Sequence, residues 1–144
     1  MTPMLLAVVL SAQAQAQPAP PALAWTWALY EDQPVVLAEE ITDTARLRTT
    51  LECAPGSGVA RLSLYDVEPA QGFMRLTAGD STATGEVVAR AGAVSAAAPV
   101  NHPAFARFVA DGRMSVALGG QTRSVEVPRP HLAKLRRFAE LCAG

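Results

Sequence analysis

ARLRTTLECAPGSGVARLSLYDV, residues 45–67, is the stretch of the sequence that decides the fold. Hydrophobic and polar residues alternate in both of its halves, which is typical of strands with one face in a core and one in water. The residues predicted to face the core are Leu47, Thr49, Leu51, Leu62 and Leu64, and those predicted to face water are Arg46, Arg48, Thr50, Arg61 and Ser63. Because APGSG between the halves supplies turn residues, the stretch predicts an antiparallel hairpin.

The same signals extend outward in both directions. Upstream, WTWALYE (25–31) alternates and PVVLAEEI (34–41) favours a strand through its β-branched residues. Downstream, residues 72–80 and 85–92 are weaker strand candidates, and RMSVALGGQTRSVEVP (113–128) predicts a second hairpin around a Gly-Gly turn.

Two helices are predicted in the C-terminal part of the chain. The first lies near 103–111, where Pro103 suits the first helical position and Gly112 suits a stop. The second lies near 130–142, with Cys142 on its apolar face. The sequence therefore predicts a mainly β domain, an antiparallel sandwich or partly closed barrel with a short helix and a C-terminal helix.

Length and composition predict one exported domain. The 144 residues are 50% hydrophobic and carry a net charge of -1, a balance that favours a globular chain and gives no sign of nucleic-acid binding. Residues 1–16 resemble a secretory signal peptide cleaved after Ala14 or Ala16, and residues 17–24 form a Pro/Ala-rich leader. We therefore expect a single domain over 25–144, periplasmic or secreted, with no transmembrane span after processing.

The two cysteines, Cys53 and Cys142, are predicted to form a disulfide, because exported proteins meet an oxidising compartment. A bridge closing roughly 90 residues would stabilise the fold by up to about 4–5 kcal/mol through loop entropy. The alternative is a reactive thiol, but the C-x-x-C spacing that lowers a thiol pKa is absent from the sequence.

No residue pattern predicts a catalytic or metal site, and no cofactor is expected. His102 and His131 could each serve a small envelope enzyme, but capping or half-buried roles are favoured. Ser57 lies in a turn without a nucleophile motif. The acidic pairs Glu31/Asp32, Glu39/Glu40 and Asp66/Glu68 are expected in loops and in water, although they could be calcium ligands or an acid pair.

Six residues remain as a possible ligand or partner surface. Trp25 and Trp27 could bind an aromatic or sugar ligand, although such pairs are more often core residues. The basic residues near the C-terminus could bind a partner, although they more often form a solvated face: Arg129, Lys134, Arg136 and Arg137.

The order of features resembles that of a known group of proteins. A strand ending in cysteine (LRTTLEC), a helix entering a hairpin (FARFVADGRMSVALGG) and a last helix ending in cysteine (LRRFAELC) follow one another over residues 45–143. This pattern is similar to small secreted alphaproteobacterial proteins of unknown function, and more loosely to the invasion-associated locus B family. The resemblance implies export and a β architecture, and it brings no catalytic residue.

We therefore expect a non-enzymatic exported module that binds an envelope protein, a peptide or a glycan. Two alternatives are a small envelope enzyme using His102 or His131, and a protease inhibitor presenting a rigid loop such as APGSG at 54–58.

Overall fold

The predicted hairpin of residues 45–67 lies in the middle of a sheet. A computed structural model describes residues 24–90 and 92–144, so the predicted signal peptide and nearly all of the leader lie outside the described residues. The hairpin strands pair antiparallel, with Leu51 opposite Leu62 in the core. The alternation therefore predicted both strands and the inward positions of Thr49, Leu51, Leu62 and Leu64, whereas Thr50 and Ser63, which were predicted to face water, are buried at 7% and 5% exposure.

The described residues form ten strands, two α-helices and one 3-10 turn. The strands are β1 Trp25–Tyr30, β2 Val35–Ile41, β3 Leu47–Cys53, β4 Val59–Tyr65, β5 Phe73–Ala78, β6 Ser81–Glu86, β7 Val88–Arg90, β8 Ala93–Pro99, β9 Arg113–Leu118 and β10 Gln121–Glu126. The helices are α1 Pro103–Asp111 and α2 Leu132–Cys142, and the 3-10 turn Arg129–His131 leads into α2.

The strands form two antiparallel sheets, which confirms the mainly β class. The large sheet has the order β1-β2-β3-β4-β8-β7 and the small sheet has the order β10-β9-β5-β6. The sheets do not join into a closed barrel within residues 24–90 and 92–144. A side chain links the edge strands β1 and β10 of the two sheets: the Trp27 indole N–H donates to the Glu126 carbonyl at 3.0 Å.

The two helices supply the two largest side chains that are fully buried. Helix α1 packs on β5, β6 and β9, α2 packs on β1 and β2, and the helices contact each other. Phe108 and Phe138 are completely buried, and Leu135 lies in the same cluster. The one-sided apolar stripes in the sequence therefore mark the faces that the helices bury.

Strand β8 was not predicted individually, because its sequence AVSAAAP is rich in alanine, which has low β-propensity. Its small side chains suit a close contact between the sheets. A Cβ added at Gly85 in β6 would lie 2.7 Å from the Ala97 carbonyl oxygen of β8. The strand is therefore specified by tertiary packing rather than by local preference.

Candidate ligand-binding face

The predicted disulfide is present. Cys53 at the end of β3 is bonded to Cys142 at the end of α2, with a Cα–Cα distance of 5.8 Å, and both residues are buried. The APGSG loop also meets this end of the helix, because Gly56 N–H donates to the Leu141 carbonyl and Gly58 N–H to the Cys142 carbonyl. The C-terminal helix is thus fastened by a covalent bond and by backbone hydrogen bonds.

Both histidines make local contacts at helix starts. His102 caps α1, with its Nδ1 accepting the Ala104 N–H at 3.0 Å. His131 Nδ1 lies 3.1 Å from Lys134 Nζ, and burial together with the Lys134 charge lowers the pKa of His131. His102 is therefore a helix cap, whereas the His131 side chain makes no cap hydrogen bond.

The two tryptophans occupy different environments. Trp27 is a core residue with 3% exposure, whereas Trp25 is half-buried. The guanidinium groups of Arg46 and Arg48 lie 5.8 and 4.6 Å from the centre of the Trp25 ring, within cation–π range. The face of Trp25 is therefore already occupied by side chains of this chain.

The basic residues near the C-terminus do not act as one group. Lys134 Nζ donates to the Trp27 carbonyl at 2.7 Å, which attaches α2 to the edge of the large sheet. Arg137 pairs with Glu31 at 2.6 Å. Arg129 and Arg136 are exposed, and Arg129 borders an open polar cleft of about 550 Å³ with both acidic and basic walls.

A charge cluster around the buried Glu39 was not predicted from the sequence. Glu39 was expected in a loop and in water, and this was wrong: it lies in β2 on the same face as Leu37 and is 5% exposed. Its carboxylate accepts from the Arg48 guanidinium. Arg123 of the small sheet also points inward, donating to the Arg48 carbonyl at 3.0 Å and to the Tyr65 carbonyl.

A β-bulge explains the position of this cluster. Glu39 pairs with Thr49 but Glu40 pairs with Leu47, so Arg48 is the extra residue in β3. The alternation of β3 breaks there, and Leu47, which was predicted to face the core, does not belong to it. Arg123 donates to the carbonyl of this extra residue, and burial lowers the pKa of Arg123.

The outward face of the large sheet is the candidate ligand-binding face, hereafter the curved face. Ser63 and Ser95 are neighbours on it, yet they are only 5% and 0% exposed, against the expectation that Ser63 is in water. Arg90 of β7 pairs with Glu52 of β3 at 3.2 Å although β8 and β4 lie between them. A flat sheet would separate these strands by about 14 Å, a span that the two extended side chains cover together with the natural twist and coiling of a β-sheet.

Arg61 is the distinctive residue of the curved face. It lies directly opposite Glu52 in the β3–β4 register, but the Glu52 carboxylate pairs with Arg90 instead. Arg61 Nη1 donates to Ser95 Oγ at 3.3 Å, and the Ser95 hydroxyl donates to the Val88 carbonyl at 3.2 Å. Within residues 24–90 and 92–144, Arg61 forms no ion pair.

An open cavity of about 180 Å³ adjoins Arg61 and Glu52. The remaining walls are largely apolar and are formed by Pro34, Cys53, Ala54, Val59 and Ala97. The cavity thus combines one arginine without a carboxylate partner, one paired carboxylate and apolar walls. Small-molecule sites commonly have this mixture of apolar walls and a few placed polar groups.

The described residues contain neither a metal-binding cluster nor a helix suited to cross a membrane. No group of three or more His, Cys, Asp or Glu side chains there is arranged to hold a metal ion. Neither helix has the length and apolar character that a membrane crossing requires.

No known family model, curated protein or solved structure matches this chain.

Proposed function

We propose that this protein is an exported, disulfide-bonded module that binds a ligand on its curved face without catalysing a reaction. Arg61 carries the proposal: a buried serine orients its guanidinium beside an open cavity, and no described carboxylate neutralises it. A charged group held in this way is favourable for binding, because its orientation does not have to be fixed when the ligand arrives.

Export is supported by the Cys53–Cys142 bond, since disulfides persist in the periplasm and outside the cell but are rare in the cytosol. The proposed location is therefore the periplasm or the extracellular space. Its partner would be an envelope protein, a peptide or an envelope glycan, in agreement with a cavity that is too small for a large ligand but open enough to admit one end of a chain.

The contacts of the histidines favour binding over catalysis. His102 Nδ1 accepts the Ala104 N–H and His131 Nδ1 lies against Lys134 Nζ, and among the described residues neither imidazole is hydrogen-bonded to a carboxylate or hydroxyl group that would complete a catalytic pair.

The test has two parts. The full chain is expressed in a host with an export system, and the mature protein should be recovered outside the cytoplasm with its signal segment removed. The ¹⁵N-labelled mature protein is then mixed with soluble peptides and glycan fragments from envelopes. Amide signals of Glu52, Arg61 and Ala97 should shift in the wild type. Recovery in the cytoplasm, or chemical conversion of the fragments, would contradict the proposal.

A further inference from the structure

We infer that the curved face takes a carboxylate that also carries hydroxyl or amino groups, with Arg61 binding the carboxylate and Glu52 accepting from the donor groups. This inference rests on the proposed binding function and adds the chemical class of the ligand.

The orientation of Arg61 is fixed from beneath by Ser95. Ser95 is completely buried. Its Oγ accepts a hydrogen bond from Arg61 Nη1, and its hydroxyl group donates one to the Val88 carbonyl. A guanidinium has five N–H donors in a planar fork, so most of them remain for a ligand. That fork matches the two oxygens of a carboxylate, which gives strong charge-assisted hydrogen bonds.

The local charge favours a single negative charge. Arg61 and Arg90 contribute two positive charges and Glu52 one negative charge, so these three residues leave one positive charge beside the cavity. One carboxylate neutralises this charge, whereas a doubly charged phosphate would leave an unpaired negative charge next to the Glu52 carboxylate, which borders the cavity.

Glu52 also selects for donor groups on the ligand. Arg90 contacts one of its oxygens, Oε1, at 3.2 Å, and an ionised carboxylate only accepts hydrogen bonds. A ligand with a hydroxyl or an amino group near its carboxylate would satisfy Glu52 and Arg61 together. Sugar acids and the C-terminal ends of peptides both have this chemistry.

The apolar walls set the remaining requirement. Val59 is 45% exposed at the rim, and Pro34, Ala54 and Ala97 line the cavity with it. They can cover the carbon skeleton of a sugar ring or a small side chain, which adds hydrophobic stabilisation that an inorganic anion lacks.

The experiment is a titration of the folded, disulfide-bonded chain followed by ¹H–¹⁵N NMR. The probes are glucuronate, the dipeptide Ala-Ala, the neutral glucuronamide and inorganic phosphate. We expect glucuronate or Ala-Ala to shift the Arg61 Nε–H signal and the amides of Glu52 and Ala97. The two probes distinguish a sugar acid from a peptide end. We expect phosphate to bind more weakly than either.

The matched variants are Arg61→Gln and Arg75→Gln, since Arg75 is exposed on the opposite sheet. Loss of a charged hydrogen bond corresponds to about a tenfold weaker Kd or more. We expect this loss for Arg61→Gln and an unchanged Kd for Arg75→Gln. Equal binding by Arg61→Gln, or tighter binding of phosphate than of both carboxylates, would overturn the inference.

The neutral probe separates the two proposals. If glucuronamide shifts the same amides as strongly as glucuronate, the curved face binds ligands but its preference for carboxylates is refuted. If no probe shifts these amides while envelope fragments do, the carboxylate class is again wrong and the binding function stands. If neither probes nor fragments cause a shift, both proposals fail.

Discussion

At the residue scale, the fold depends on charged side chains at inward positions. Glu39 lies two residues after Leu37, and Arg123 lies two residues before Val125, so both share the face of a core residue. Because side chains two residues apart in a strand share a face, the sequence alone could have predicted these inward positions. The bulge at Arg48, which allows Arg48 to reach Glu39, has no comparable sequence signal. Inward charges on an edge strand such as β10 also discourage pairing with other chains.

Replacing Arg123 should destabilise the protein. Arg123→Met removes the donor to the Tyr65 and Arg48 carbonyls and leaves Glu39 with less positive charge nearby. We expect the free energy of unfolding to fall by about 2 kcal/mol, the usual cost of leaving buried polar groups unpaired. Urea unfolding measures this loss. Arg75→Met on the exposed face is the control, and an equal effect of both variants would argue against an inward role for Arg123.

His131 should make stability depend on pH. Its pKa is lowered in the folded protein by burial and by the Lys134 charge, so the unfolded chain binds a proton more readily. The His131 contribution is therefore complete above its unfolded pKa of about 6.5 and decreases as the pH falls below that value.

NMR titration of the imidazole signals measures this directly and should give a pKa for His131 below 6.5 in the folded protein. His131→Gln should flatten the decrease in stability as the pH falls below about 6.5. A folded pKa above 6.5 would contradict the contact with Lys134.

At the element scale, local sequence patterns predicted where the hairpins and helices occur. They did not predict which distant elements pair or pack with them. The β9–β10 hairpin and α1 occur where alternation, Gly-Gly and His102-Pro103 placed them. The pairing of β4 with β8, and the ion pair between Arg90 and Glu52, depend on contacts between distant parts of the chain. For this reason the sequence predicts Arg61 on an outward face but cannot reveal that it lacks a carboxylate partner.

Gly112 is the most constrained junction between elements. It ends α1 at φ 75°, and a Cβ there would lie 2.4 Å from the Val127 carbonyl oxygen and 2.7 Å from Leu132 Cδ2. Gly112→Ala should therefore cost about 2 kcal/mol or more, through left-handed strain and steric overlap. Gly120→Ala is the control, because nothing lies within 4 Å of its added Cβ. Chemical denaturation of both variants tests this, and equal stability would refute the packing at Gly112.

At the scale of the whole molecule, the disulfide connects the large sheet to the helix that completes the core. Cys53 and Cys142 are 89 residues apart, so the bond constrains most of the folded chain. Removing it with the double variant Cys53→Ala/Cys142→Ala should lower the free energy of unfolding by up to about 4–5 kcal/mol. Total stabilities of small domains are about 5–15 kcal/mol.

Thermal and urea unfolding of the double variant measure this difference, and reduced wild-type protein should show a similar loss. A double variant as stable as the oxidised wild type would mean that the packing of Leu135 and Phe138 and the hydrogen bonds of the helix hold it without the disulfide.

Intact mass spectrometry of the exported protein, alkylated without prior reduction, tests most directly whether this is a disulfide-fastened envelope module. We predict that no alkyl group is added before reduction and that two are added after it, one each on Cys53 and Cys142. Two alkylated thiols in freshly isolated, unreduced protein would contradict both the architecture and the assignment to an oxidising compartment.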